Sequence, residues 1–214
     1  MQATLYAPYV DGSARRERLA RARLYLVLAG GDAGVLDGAL RGGVDVVQLR
    51  DKELTDGELL RAAEPFRRAC DAHGALFVLN DRSDLVVACR ADGVHVGRED
   101  TPPAEARAAA GTERIVGLSA SSVEELEGDA DYFGVGAIFG TPTKPESPAG
   151  GLELVRAAAE RLRVPWFAIG GIELANVAEV VAAGAPGVAV VRAIRDADDP
   201  EAAARALRTA LEHR

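Results

Sequence analysis

The sequence predicts a single (β/α)8 barrel of the TIM type, a closed sheet of eight parallel strands with helices between them. Two observations lead there. Eight short β-branched or apolar runs alternate with segments of helical period, and the polar residues of those runs gather at their carboxyl ends. A third observation bounds the answer, since 214 residues with 48% hydrophobic content suffice for one sizeable core and are few for two domains.

The predicted strands are 24–29, 46–50, 76–80, 93–97, 115–119, 132–139, 164–170 and 187–194. The predicted helices between and after them are 35–41, 55–73, 84–90, 103–110, 123–128, 151–162, 174–183 and 200–213. A polar leader over about residues 1–23 precedes the first strand, and its stretch from Arg15 to Arg23 can add one more helix. Gly42–Gly43, Gly74, Gly111 and Gly184 each follow a helical segment, where positive φ closes a helix before the next strand. Val46–Val47, Phe77–Val78 and Val188 to Val191 are nearly continuous in apolar residues, as parallel strands covered on both faces require. An open doubly wound sheet shares that alternation. The closed form is preferred because Gln48, Arg50, Asn80, Asp81, Ser119, Thr141, Gly170 and Gly171 all fall at or just past strand ends, and a barrel collects those ends around one mouth.

Composition excludes several classes. No apolar run approaches the ~18 residues of a membrane helix, and the amino terminus, with Pro8, Asp11, Arg15, Arg16 and Arg18, lacks a signal-peptide core, so a cytoplasmic location is expected. A net charge of −8 argues against a broad nucleic-acid face, so anionic ligands need a local cationic pocket. Cys70 and Cys89 sit in apolar helical patterns without metal-type spacing and read as buried thiols.

Four constellations carry chemistry. Gln48-Leu49-Arg50-Asp51-Lys52 ends the second strand; if Leu49 faces the helices, alternation points Gln48 and Arg50 into the barrel, and Arg50 with Lys52 suits a diphosphate. A surface ion pair with Asp51 or Glu53 is the plainer alternative. Asn80-Asp81 after the third strand lies beside Asp100 after the fourth, and two carboxylates with few other ligands match the way Mg2+ is held alongside phosphate oxygens and water. Helix capping by either Asp is the competing account. The loop from Gly140 to Gly151 is long for a βα connection and carries Thr141, Pro142, Thr143 and Lys144, whose hydroxyls and ammonium can donate to anionic oxygens. Gly170-Gly171 and Val191-Arg192 end the last two strands, where barrels frequently bind a phosphate through backbone amides. His95, alone on a strand, reads as a hydrogen-bonded structural residue; His73 and His213 read as structural or solvated, and Trp166 as core.

Taken together, Gln48 to Lys52, Asn80-Asp81, Gly93-Val94-His95-Val96-Gly97-Arg98-Glu99-Asp100, Thr141 to Lys144 and Gly170-Gly171-Ile172 resemble the thiamine-phosphate synthase family, in order and over nearly the whole chain from about Leu24. The resemblance implies an enzyme that joins hydroxymethylpyrimidine diphosphate to hydroxyethylthiazole phosphate with Mg2+ as cofactor, releasing diphosphate. It assigns Gln48, Leu49, Arg50, Asp51, Lys52, Asn80, Ser119 and Lys144 to the pyrimidine diphosphate, with Arg50, Lys52 and Lys144 as the catalytic cations. It assigns Asp81 and Asp100 to the metal, and Thr141, Pro142, Thr143, Gly171, Val191 and Arg192 to the thiazole phosphate. The partners it implies are phosphorylated small molecules, with neither nucleic acid nor membrane; self-association into a homo-oligomer is left open. Two positions depart from the family pattern: Ser121 stands where many members carry His, and Arg192 where Ser is common. A related thiazole tautomerase uses a His in that segment, so Ser121 argues against an isomerase. A barrel that binds the same phosphates without turnover is the third reading.

Overall fold

The computed structural model describes residues 11–140 and 149–212. Its eight strands are β1 (Leu24–Leu28), β2 (Val46–Leu49), β3 (Leu76–Asn80), β4 (Gly93–Val96), β5 (Ile115–Ala120), β6 (Tyr132–Val135), β7 (Trp166–Ile169) and β8 (Val188–Val190). They close in sequence order into one barrel, every neighbour parallel, with β8 returning to β1 through Leu24–Val188 and Leu26–Val190. The expected (β/α)8 barrel is the fold found.

The helices are α1 (Gly12–Arg21), α2 (Leu36–Arg41), α3 (Asp56–His73), α4 (Pro103–Ala110), α5 (Gly151–Arg161), α6 (Val177–Ala182), α7 (Arg192–Arg195) and α8 (Pro200–Glu212). Local chemistry sets several ends. Thr55 and Glu58 cap α3 reciprocally, the Thr55 N–H donating to Glu58 Oε2 at 2.9 Å, and Gly74 at φ +69° closes it. Gly43, Gly111 and Gly184 also take positive φ as expected. Gly42 does not, at φ −73°. Its need for glycine is steric: a Cβ there would stand 2.5 Å from Ala204 Cβ and from the Glu201 carbonyl oxygen on α8.

Strand alternation separates two cores. Outward residues such as Leu26, Leu49, Phe77, Leu79, Val94 and Phe133 pack under the helices with Phe66 and Cys70 of α3. Inward residues Tyr25, Val27, Val46, Val78, Ile115, Tyr132 and Phe167 fill the barrel, and Leu19 and Ala22, from α1 and the turn after it, plug its amino-terminal end. Arginines fasten this plug, Arg15 to Asp92 at 2.9 Å and Arg16 to Asp131 at 2.8 Å. Cys70, Cys89 and Trp166 are buried as expected, and burial pushes the Cys70 thiol up to about 12. His73 lies 3.6 Å from Asp37, while His213 falls outside the described residues. No helix among the described residues is long and apolar enough to cross a membrane.

Four expected elements come out differently. Residues 84–90 form turns, because Asp81 and Arg90, at φ +61° and +53°, bracket a stretch too short for a regular helix. Residues 123–128 are turns because the Arg98 guanidinium takes the carbonyls of Glu125 and Glu127, which a continuing helix would need. β6 ends at Val135, after which Ile138 and Phe139 donate singly to the Ile169 and Gly170 carbonyls. β8 ends at Val190, and the chain turns at once into the short α7, so Ile194 is a helical core residue and not a strand residue.

Candidate active site

Polar side chains inside the barrel form a continuous hydrogen-bonded chain. The Gln48 Nε2 amide donates to Tyr25 Oη at 2.8 Å, and Tyr25 Oη meets Tyr132 Oη at 2.9 Å. Tyr132 Oη lies 3.1 Å from His95 Nδ1, whose Nε2 lies 3.0 Å from Ser119 Oγ. Register explains the assembly: His95, Gly117 and Tyr132 are level on β4, β5 and β6, all facing inward. Gly117 makes room, since a Cβ there would fall 2.2 Å from Tyr132 Cζ. Gly134 does the same for His95, with a Cβ placed 3.1 Å from Cε1. Phe167 braces both phenols edge-on, its ring centroid 5.2 Å from Tyr25 and 6.0 Å from Tyr132. His95 is thus hydrogen-bonded, as expected, but it joins Ser119 to the barrel interior. Tyr25 and Tyr132 escaped the sequence reading; their inward parity with Gln48 and His95 was the available signal.

The cationic and acidic groups stand together at the carboxyl ends of β2 to β4. Gln48 is buried at 4% exposure and faces inward, whereas Leu49 turns its side chain into the outer core, leaving only its backbone for a ligand. Arg50 is half-buried and, among the described residues, pairs with no carboxylate. Asp51 serves the loops, its carboxylate accepting from the Gly30 and Glu53 backbone at 3.2 and 3.3 Å. Lys52 Nζ lies 3.5 Å from Asp81 Oδ2, the same oxygen to which Asn80 Nδ2 donates. The Asp81 backbone is left-handed, at φ +61°, and its N–H donates to the His95 carbonyl at 2.8 Å, which ties the β3 turn to β4.

The Asp81 carboxyl is raised from its ordinary value by burial and by the Asp100 carboxyl beside it, with Lys52 opposing. Asp100 also accepts from the Gly97 N–H at 3.1 Å. Neither Asp caps a helix. Two adjacent carboxyls at a cation-lined mouth repel each other until a cation joins them, so this donor set fits a hard divalent ion. Among the described residues no group of three or more His, Cys, Asp or Glu could hold a metal, and the pair would need ligand oxygens to complete a shell.

Across the mouth, Gly170 and Gly171 adopt φ +105° and +63°. A Cβ on Gly170 would stand 2.7 Å from Ala137 Cα, and one on Gly171 2.8 Å from Phe139 Cβ, so packing against the β6 loop already demands glycine at both. Asn176 Nδ2 donates to the Gly171 carbonyl at 2.9 Å and accepts from the Glu173 N–H, which delays the start of α6 to Val177. Val191 is half-buried against the inner core, and Arg192 opens α7 with its side chain exposed. Thr141, Pro142, Thr143 and Lys144 lie outside the described residues. Ser121 is turned away, its backbone N–H and hydroxyl both donating to Glu125 Oε2, at 2.6 and 2.8 Å.

Comparison with known proteins gives the family. Residues 24–194 match the family model described as thiamine monophosphate synthase. A relative named thiamine-phosphate synthase from Thermobifida fusca is 48% identical over 207 residues, covering 92% of this chain and 95% of the relative. Another of that name, from Thermosynechococcus vestitus, is 46% identical over 91% of this chain but is longer, so that the match covers 57% of it. Among solved structures, thiamine phosphate pyrophosphorylase from Pyrococcus furiosus superposes with a TM-score of 0.84 at 33% identity, over 91% of this chain and 97% of that one.

Proposed function

The chain belongs to the thiamine monophosphate synthase family, and from that premise we propose that it joins hydroxymethylpyrimidine diphosphate to hydroxyethylthiazole phosphate, forming thiamine phosphate and releasing diphosphate. It is an enzyme of the transferase class acting in thiamine biosynthesis. One observation carries the residue-level reading: Lys52, Asn80, Asp81 and Asp100 meet at one rim of the barrel, next to the polar chain that ends at Gln48 and Ser119.

In this reading Gln48 and Ser119 hold the pyrimidine ring, and Arg50, Lys52 and Lys144 grip its diphosphate. Asp81 and Asp100 would hold Mg2+, which when bound neutralises charge on the diphosphate. The reaction is dissociative: the bond from the pyrimidine methylene carbon to the diphosphate oxygen breaks, and the thiazole nitrogen supplies the electron pair for the new carbon–nitrogen bond. Negative charge grows on the departing oxygens, so fixed cations lower the barrier without an enzymic nucleophile. Thr141, Thr143, Gly171 and the backbone at Val191 and Arg192 hold the thiazole phosphate close enough to attack as the bond opens. Its partners are phosphorylated small molecules, and the cytoplasm is where it works.

The test is incubation of the pure protein with both substrates and Mg2+. Diphosphate and thiamine phosphate should appear in equal amounts and stop appearing when EDTA removes the metal. No product at saturating substrates would sink the proposal.

A further inference from the structure

The chain Gln48–Tyr25–Tyr132–His95–Ser119 has a direction, and every link shares it. A phenol has one proton to donate, and a neutral imidazole has one N–H and one lone pair. Burial raises both Tyr25 and Tyr132 above the ordinary phenol range, so both keep their protons at neutral pH. With the Gln48 N–H donating to Tyr25, the Tyr25 proton is free only for Tyr132, and the Tyr132 proton only for His95 Nδ1. The remaining imidazole proton is then on Nε2 and points at Ser119 Oγ. Reversing any one link alone leaves either a buried proton with no acceptor among the described residues or a contact with no proton in it, at a cost of about 1–3 kcal/mol. The chain therefore reverses as a whole or not at all.

The two ends are consequently preset. Gln48 Oε1 is left as an acceptor, with no donor to it among the described residues, and the Ser119 hydroxyl proton is left as a donor. We propose that Tyr25, Tyr132 and His95 are positioning residues that hold His95 as its Nε2–H tautomer and so fix Gln48 as acceptor and Ser119 as donor toward the heteroaromatic ring. The complementary edge is an exocyclic amino group near an unprotonated ring nitrogen, as in an aminopyrimidine. An oxo-pyrimidine offers the opposite pattern, a carbonyl acceptor near a ring N–H donor, and would leave both ends mismatched. This specificity rests on the pyrimidine diphosphate reading above, whereas the direction of the chain does not.

Nitrogen-15 NMR of histidine-labelled protein, without substrates, reads the tautomer directly, with the His95 signals assigned by loss in His95→Gln. The wild type should show Nε2 protonated and Nδ1 bare. Tyr132→Phe should abolish the single tautomer, because no phenol then donates to Nδ1; Tyr25→Phe should keep it, because the Tyr132 proton has only Nδ1 left as acceptor, and should instead leave the Gln48 amide free to turn. In steady-state assays Tyr132→Phe should raise KM for the pyrimidine substrate roughly 10-fold, leave KM for the thiazole phosphate unchanged, and narrow the preference for amino over oxo pyrimidines. An Nδ1–H or doubly protonated His95 in the wild type would overturn the proposal, as would an Nδ1–H imidazole in Tyr25→Phe or an unchanged single tautomer in Tyr132→Phe. If Tyr132→Phe does not fold, the wild-type and Tyr25→Phe spectra still decide. A wild-type protein with the expected tautomer but no turnover would count against the synthase reading and leave the directed chain standing.

Discussion

Replacing Asp92 by Asn should strip several kilocalories of stability from this barrel while leaving its chemistry intact. Asp92 is 3% exposed at the amino-terminal end of β4. Its carboxylate accepts from Arg15 Nε at 2.9 Å, Arg67 Nη1 at 2.8 Å and the Phe77 N–H at 2.9 Å, which joins α1, α3 and β3 to β4. Asn keeps the shape but removes the charge, leaving the Arg67 side chain, itself 7% exposed, with only the half-exposed Asp71 as counter-ion. A charge pair about 4 Å apart at an effective dielectric near 20 gains about 4 kcal/mol before desolvation. Losing one partner of a buried pair costs about 3–5 kcal/mol net. At roughly 2–4 °C per kcal/mol for a chain of this size, Tm should fall by roughly 6–20 °C. Burial alone would raise the Asp92 carboxyl, but Arg67, the Phe77 amide and Arg15 outweigh it and hold the group below the ordinary carboxylate range. A group depressed on folding stabilises above its unfolded pKa and ceases to as pH falls through the folded one. The stability gap between wild type and Asp92→Asn should therefore be constant above about pH 5 and close progressively below about pH 4. Differential scanning calorimetry across that range measures both effects, and diphosphate release at room temperature should stay within about twofold of wild type, because the mouth is at the opposite end of the barrel. A Tm drop under about 2 °C, or a gap that persists unchanged in acid, would refute the reasoning.

Three further outcomes can be measured. Gly117→Ala should cost about 1–3 kcal/mol through overpacking, because its Cβ lands 2.2 Å from Tyr132 Cζ in a fully buried ring; chemical denaturation measures it, and turnover should fall as the Tyr132 hydroxyl leaves His95. Arg98→Ala should change global stability by less than about 1 kcal/mol, as an exposed side chain, yet speed amide exchange across residues 122–128 by freeing the Glu125 and Glu127 carbonyls; hydrogen-exchange mass spectrometry would show it. Asp81→Asn and Lys144→Ala should each lower turnover by about 100-fold or more, and a Mg2+ titration should separate them, since only Asp81→Asn moves the half-saturating metal concentration upward.

Much of the site was legible because strand alternation is local. Gln48 points inward and Leu49 outward from their parity on β2, and Asp81 and Asp100 meet because β3 and β4 are neighbours. The misses share a different cause. Residues 123–128 have helical composition, yet Arg98, distant in sequence, takes their carbonyls. Residues 84–90 fail as a helix because the Asp81 turn is held left-handed by the His95 carbonyl on the next strand. Gly171 looked like a ligand-facing glycine, and its packing against Phe139 adds a reason that no local pattern contains.

By itself, then, the sequence determined the number and order of strands, the alternation of faces along them, and the rim on which charge collects, since all of these follow from periods of two and 3.6 residues along the chain. The tertiary structure alone decided the directed chain through the interior. Tyr25 and Tyr132 are 107 residues apart and each reads as an ordinary strand residue. Only closure of the barrel, with glycines clearing space at Gly117 and Gly134, brings their hydroxyls within 2.9 Å of each other. A hydrogen bond depends on distance and angle in space, and sequence spacing does not encode either for residues that meet across a closed sheet.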